Sequence, residues 1–376
     1  MKQKNQEKIA LFAFRKRRKS FFEKMVKSCP HENVKIITSR KSLVFSLKAL
    51  GKIKEADLES ACNFAVSEFY AKTNLKIPTV LVKLYFNIFS KINFLRYYAA
   101  LDKNFTKMLI WNGGKFRERI AIEVAKIENI KVYYFENGLL PNTIVFDNKG
   151  INSENSVPRK EEFYKQYNFD VDLPKTLVPR VGKNREIFKG EKEILPEKYI
   201  FVPFQVDYDT QIISHSKWIR DMRILFDVIE KISKYGKYHF VLKEHPSSGV
   251  EYSDLYERIK ELSYVSFKNT YSTQALIENA DAVITVNSTV GVESLLFHKK
   301  VIVLGDAFYA IEGITFPVKN QQELVEKIDQ IDKLNVEKKT VDNFLKYLYH
   351  DYLVLNDENV YKTICHKILK ADNDVA

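Results

Sequence analysis

Short apolar runs alternate with stretches of helical periodicity along most of this chain, and the alternation predicts strands and helices in turn. In the first half, Val34-Lys35-Ile36-Ile37-Thr38 and Ser42-Leu43-Val44-Phe45-Ser46 read as short strands. Residues 54–75 and 79–105 read as helices, the second rich in aromatics. Met108-Leu109-Ile110-Trp111 is a strand that stops at Asn112-Gly113-Gly114, and 116–127 is an amphipathic helix. The strand 131–135 follows and ends at Glu136-Asn137-Gly138. A strand, turn, helix and strand in that succession form a parallel βαβ unit, with its loops at the strand C-termini.

Residues 147–197 are polar and carry Gly150, Pro158, Pro174, Pro179 and Pro196, which places an interdomain connection near 180–197. The pattern then restarts with a strand at 199–204, a helix at 218–235 and a strand at 238–242. A helix at 252–262, a short strand at 265–267 and a helix at 273–280 come next. Strands at 282–286 and 300–304 and helices at 321–332 and 337–350 complete it. The expectation is an α/β protein of two Rossmann-like domains, residues 1–185 and 186–376, consistent with domains of roughly 150–200 residues.

Two turns carry the densest candidate chemistry. Lys243-Glu244-His245-Pro246-Ser247-Ser248 follows one apolar run, and Asn287-Ser288-Thr289-Val290-Gly291 follows another. Both sit at the C-terminal ends of buried strands, where open α/β sheets bind ligands. The second runs into a helical pattern, so Ser288 and Thr289 meet free N–H groups that suit a phosphate. His245 either fixes the turn with Pro246 or binds the ligand. Asn287, Ser288 and Thr289 either cap the helix, serve the phosphate, or do both. Glu136, ahead of Gly138, is an active-site carboxylate or an ordinary loop residue. Asp207-Tyr208-Asp209 is a cation-binding pair, a nucleophile beside a solvated charge, or a chance pattern.

Composition narrows the class. With 45% hydrophobic and 29% charged residues the chain is globular. No run of about 18 apolar residues is present, and the polar start lacks the apolar stretch of a signal peptide. Cys29, Cys62 and Cys365 lack metal-ligand spacing, and free thiols in a reducing cytoplasm are expected. The net charge is +12, and residues 1–60 hold 16 Lys+Arg against 6 Asp+Glu, or +10 of it. The cluster Arg15-Lys16-Arg17-Arg18-Lys19 suits anionic lipid headgroups or a solvated helix face. No nucleic-acid motif accompanies it, and it lacks interleaved aromatics for base stacking.

Five blocks resemble the bacterial capsular-polysaccharide-synthesis family of retaining β-Kdo glycosyltransferases. They are WNGG (111–114), FENGLLPNTIVFDNKGINSENSVPR (135–159), VPFQVDYDTQIISHS (202–216), KEHP (243–246) and VNSTVGVESLLFHKKVIVLGDAFYAIEGIT (286–315). The resemblance implies a GT-B-like fold, in which two Rossmann-like domains face across a cleft, and CMP-Kdo as donor. It makes Asp209 the nucleophile of a covalent Kdo–enzyme adduct, with Asp207 its less certain neighbour. Glu136 becomes an active-site carboxylate. Lys243, His245, Pro246, Asn287, Ser288 and Thr289 become the nucleotide-binding set, His245 also counting as catalytic. No cofactor and no obligatory metal are expected. The acceptor would be a surface glycan or glycolipid, reached from the cytoplasmic face of the inner membrane, which the basic N-terminal region would touch. A transferase of a sialic-acid-type donor and a non-catalytic glycan- or membrane-binding scaffold are the alternatives.

Overall fold

The computed structural model describes residues 8–28, 34–38, 45–73, 75–101, 105–179, 186–191 and 193–370. The first unit opens with β1 (Lys8–Ala13), α1 (Lys16–Ser28) and β2 (Val34–Thr38). A 3-10 segment (Leu47–Glu55) leads to α2 (Leu58–Lys72) and α3 (Thr79–Ala100). Then come β3 (Phe105–Trp111), α4 (Phe116–Ile127), β4 (Lys131–Asn137) and β5 (Thr143–Asp147). Strands β2, β1, β3 and β4 run parallel and β5 antiparallel, in the order β5-β4-β3-β1-β2. The expected βαβ unit is β3–α4–β4. The expected strand at 42–46 lies partly outside the described residues, which resume at Phe45.

Alternate residues of these strands point to opposite faces, and each face has its own core. Ala10, Phe12, Met108, Ile110 and Val132 pack with Ala61 of α2, Phe94 of α3 and Ile120 of α4. Ile9, Leu11, Leu109, Tyr133 and Phe135 pack with Phe22 and Met25 of α1.

The second unit contains α5 (Glu161–Gln166), β6 (Tyr199–Pro203), α6 (Thr210–His215), α7 (Met222–Ser233) and β7 (His239–Lys243). It continues with α8 (Ser253–Ile259), β8 (Val265–Phe267), α9 (Thr273–Asn279), β9 (Ala282–Thr285), α10 (Val290–Leu295) and β10 (Lys300–Val303). The short β11 (Phe316–Pro317), α11 (Gln321–Asp329) and α12 (Lys338–Tyr347) complete it. Its sheet is wholly parallel, in the order β11-β10-β9-β6-β7-β8. Ile200, Val202, Leu242 and Ile284 meet α7 on one face, while Tyr199, Phe201, Val241 and Val283 meet α9 and α10 on the other. The α/β class and the pair of Rossmann-like units expected from the sequence are therefore present.

The division between units differs from 1–185 and 186–376. Residues 157–352, with 139–141, form the second unit, and 353–376 return to the first. The cause is visible in the contacts. The strand β12 (Leu353–Leu355) pairs antiparallel with β5, and α13 (Val360–Lys370) buries Val360, Ile364 and Ile368 in the α1 core. Lys107 of β3, itself buried, donates to the Ile368 carbonyl at 3.0 Å. In the other direction, Tyr164 of α5 packs edge-on to Phe344 of α12, which draws residues after 157 into the second unit. Free thiols throughout were expected. Cys62 is a free, buried thiol, whereas Cys365 is disulfide-bonded.

Candidate functional site

In the second unit β6 stands between β9 and β7, so the chain order reverses beside it. Ligands of open α/β sheets bind outside the strand C-termini at such a switch point. The loops leaving β6, β7 and β9 here carry Asp207–Asp209, His245–Pro246 and Asn287–Thr289.

The two aspartates are not equivalent. Asp207 is buried and accepts from Met222 N at 2.6 Å and from the Tyr252 hydroxyl at 2.5 Å. Burial pushes its carboxyl up from the ordinary value, against the pull of those bonds. With both oxygens turned inward, Asp207 ties the β6 loop to α7 and α8 and is not one arm of an exposed cation-binding pair. Asp209 is exposed and caps α6, Oδ1 accepting from Gln211 N at 2.8 Å.

Asn287 takes an internal part instead of the ligand contact expected of it. It exchanges hydrogen bonds with Gln205, Gln205 Nε2 to Asn287 Oδ1 and Asn287 N to Gln205 Oε1, each 3.1 Å. Its Nδ2 donates to the carbonyls of Gln211 at 2.9 Å and His215 at 3.3 Å. One side chain thus joins the β9 loop to α6 and to the β6 loop. Ser288 is buried, and its hydroxyl accepts from Val290 N at 3.2 Å, opening α10. Thr289 is half-buried at the helix start. The Tyr309 hydroxyl donates to the Ser288 carbonyl, and a side chain at Gly291 would meet that ring at 2.5 Å, so only glycine fits beneath it.

His245 is half-buried, and its Nδ1 accepts from Ser247 N at 3.1 Å, so the neutral ring carries its proton on Nε2. Lys243 is buried, donates to the Asn269 carbonyl at 2.6 Å, and is pushed down to about 8 by burial, with Glu244 opposing the shift. Lys243 and Pro246 line a cavity of about 460 Å³ with Phe188, Asn269, Thr270 and Ser272. The loop after β8 went unmarked in the sequence, because its Asn269-Thr270-Tyr271-Ser272 reads as an ordinary turn.

Glu136 belongs to the first unit, whose sheet reverses order between β1 and β3. Its carboxylate accepts from Asn112 Nδ2 at 2.6 Å, Asn137 N at 2.8 Å and Trp111 Nε1 at 3.4 Å. Asn112 and Gly113 adopt positive φ, 72° and 90°, which turns WNGG back over the β4 end, and Asn112 N donates to the Phe135 carbonyl at 2.7 Å. Gly138 is needed for close approach: an added Cβ would lie 2.2 Å from the Thr143 carbonyl oxygen. Glu118 closes the α4 capping box, accepting from Gly113 N and Lys115 N at 3.1 Å. Burial, aided by the Glu136 charge, pushes the Glu118 carboxyl up to about 7 despite those bonds. A cavity of about 210 Å³ is lined by Glu118, Glu136, Trp111, Asn112, Arg15 and Arg18, among others. Two members of the basic cluster therefore face the Glu136 cavity.

Among the described residues no group of three or more His, Cys, Asp or Glu is placed to hold a metal ion, and no helix is long and apolar enough to cross a membrane.

The profile of the "capsule polysaccharide biosynthesis protein" family matches residues 106–180 and 175–358. Protein FixF of Sinorhizobium fredii is 33% identical over 261 residues, covering 66% of this chain and 60% of FixF. The capsule polysaccharide export protein KpsS of Escherichia coli is 24% identical over 254 residues, covering 51% of this chain and 65% of KpsS. The chain thus matches less than two thirds of the length of either relative. Among solved structures, the β-Kdo 2,7 transferase region of KpsC from Thermosulfurimonas dismutans superposes with a TM-score of 0.49 at 16% identity, over 97% of this chain and all of that one. The profile runs from β3 to beyond β12 and takes in the whole sheet of the second unit, and on that match the chain belongs to the capsule polysaccharide biosynthesis protein family.

Proposed function

We propose that this chain is a retaining β-Kdo glycosyltransferase that moves Kdo from CMP-Kdo to a cell-surface glycan or glycolipid. The observation that carries the reading is the second unit's switch-point edge, where an exposed carboxylate, an imidazole turn and a hydroxyl turn leave adjacent parallel strands, and the imidazole turn borders, through Lys243 and Pro246, a cavity of about 460 Å³. That size falls in the range of about 300–1,000 Å³ common for small-molecule sites. Lys243 and Pro246 belong to the cavity wall and would hold the nucleoside, while His245, Ser288 and Thr289 would meet its phosphate. Asn287 acts by positioning.

In this reading an Asp209 oxygen attacks C2 of Kdo. The C2–O bond to the phosphate breaks, and CMP leaves with the electron pair. An acceptor hydroxyl then gives its proton to Glu136 and displaces the aspartate at C2. Two inversions give net retention. Hydrogen bonds to the leaving phosphate stabilise the charge that develops as CMP departs. The test is incubation of the purified chain with CMP-Kdo and CMP-sialic acid over a panel of synthetic acceptors, read by mass spectrometry. Transfer of Kdo, and a Kdo adduct on the intact protein with donor alone, are expected. Transfer of sialic acid instead identifies a related ulosonic-acid transferase. Absence of both transfer and donor hydrolysis leaves a scaffold.

The proposed seat at the cytoplasmic face of the membrane has a better-defined surface than the Arg15–Lys19 cluster. The outer face of α3 exposes Val80, Leu81, Leu84, Tyr85 and Ile88, with Leu75 and Ile77 just before it. From Thr73 to Leu101 the chain has Lys76, Lys83, Lys91 and Arg96 and no Asp or Glu. An apolar helix face rimmed by cations suits the surface of an anionic bilayer.

A further inference from the structure

The basic residues after β1 occupy an unfavourable place. Arg15 provides the carbonyl that opens α1, accepting from Arg18 N and Lys19 N at 3.0 Å, so Arg15, Lys16, Arg17 and Arg18 stand from the N-cap to the third helical position. The first turn of α1 holds no acidic residue. Helix N-termini carry partial positive charge and favour anions, so four cations there oppose the local field. Arg18 is set deepest. Its guanidinium lies 3.5 Å from the centroid of the Trp111 ring, and among the described residues it has no hydrogen bond or ion pair. Burial lowers it to about 10, and the Glu136 carboxylate is the largest opposing influence. Lys115, on the same cavity, is already engaged by Glu68 at 2.8 Å.

Arg18, Trp111 and Asn137 also wall a second depression of about 260 Å³, to which Arg17 and Lys24 contribute. Two hollows thus share one cationic, aromatic-backed partition. One contains the carboxylates of Glu136 and Glu118, and the other has no Asp or Glu in its lining.

We propose that Arg18, with Arg15 and the α1 N-terminus, binds an oxyanion carried by a sugar of the acceptor, a carboxylate or a phosphate ester. This rests on the glycosyltransferase reading and adds a recognition element to it. A planar guanidinium backed by an indole is pre-organised for bidentate contact with either anion. The bound anion neutralises the cations at the helix start, and it sets the rest of the sugar beside Glu136, where a hydroxyl can be deprotonated. The shared partition lets an acidic chain continue into the second hollow. The preference is therefore for an acceptor with negative charge near its growing end.

The chain has two tryptophans, Trp111 and Trp218, so Trp218→Phe leaves Trp111 as the sole indole reporter of this site. In that background, intrinsic fluorescence is titrated with methyl glucuronide, glucose 1-phosphate, inorganic phosphate and methyl glucoside. Saturable change with an anionic sugar, none with the neutral glucoside, and at least tenfold weaker binding in Arg18→Gln are expected. Arg18→Lys should retain part of the affinity, and affinity should rise less steeply in Arg18→Gln than in the parent as salt is lowered. Glucuronide responding without glucose 1-phosphate assigns a carboxylate, and the converse assigns a phosphate ester. Equal response to the neutral sugar, no saturable response to any anionic probe, or an unchanged Arg18→Gln overturns the proposal. Thermal unfolding of each variant confirms that it is folded. CMP titration of the same proteins reads the second unit separately, so failure of the donor reading appears as absent CMP binding and failure of this one as loss of the Arg18 dependence.

Discussion

Two aspartates one residue apart should respond in opposite ways to substitution. Asp207→Ala removes the acceptor of two buried donors, Met222 N and the Tyr252 hydroxyl, whose residues are at most 1% exposed. Leaving a buried donor unsatisfied costs about 1–3 kcal/mol, or roughly 2–6 kcal/mol for the pair. The raised Asp207 pKa means that part of the carboxylate's desolvation is uncompensated in the native protein, which trims the net loss toward about 2–4 kcal/mol. For a unit of this size about 1 kcal/mol moves the midpoint by roughly 2–4 °C, so a drop on the order of 4–16 °C is expected.

Asp209→Asn keeps an N-cap of equal quality on an exposed residue, and its midpoint should stay within about 2 °C of wild type. Transfer should nevertheless disappear, with CMP affinity held within several-fold, because an amide cannot form the ester-linked adduct. Differential scanning calorimetry and a CMP-Kdo transfer assay on both variants decide the matter. Near-normal turnover in Asp209→Asn removes it from the chemistry. A stability loss in Asp209→Asn equal to that of Asp207→Ala would show that its role is structural and sink the distinction drawn from burial.

His245→Ala and Ser288→Ala should each weaken CMP binding by about 1–3 kcal/mol in calorimetry, as lost charge-assisted phosphate contacts do; unchanged affinity in both returns the turns to a purely structural role. Transfer should survive EDTA, because Asp207 faces inward and cannot pair with Asp209 around a cation; loss restored by Mn²⁺ refutes this. Glu118, held near 7 in the fold against 4.5 ordinarily, gives stability that is complete below about 4.5 and lost as pH rises through 7, up to about 3 kcal/mol. Glu118→Gln keeps the capping-box acceptor and should flatten that decline in pH-dependent unfolding, and an identical pH profile contradicts the assignment. Leu81→Glu with Leu84→Glu should abolish co-sedimentation with anionic vesicles while sparing transfer to a soluble acceptor. Retained vesicle binding, or a change of oligomeric state in light scattering, moves the α3 face to another partner.

The second unit was the more legible half because each of its strands is an uninterrupted apolar run bounded by a polar turn, as parallel strands buried on both faces should be. The first unit was harder for a physical reason. Strand β1, the one beside which its sheet reverses, is also such a run, Ile9-Ala10-Leu11-Phe12-Ala13, but basic segments on either side make it read as part of a charged terminus. Without β1 the sequence does not show the switch point, nor why Arg15 and Arg18 line one cavity with Glu136. The domain boundary failed for a related cause: β12 and α13 reveal their partners only through contacts with β5 and α1, more than two hundred residues away in the chain. Composition could mark Glu136, Asp209, His245 and Ser288 as chemically able. Only the hydrogen bonds could separate Asp207 and Asn287, which spend their polar atoms on the scaffold, from Asp209, which keeps an exposed carboxylate. The two aspartates of one motif thus differ in what is left over: Asp207 gives both oxygens to buried donors, while Asp209 caps α6 and keeps its carboxylate at the surface.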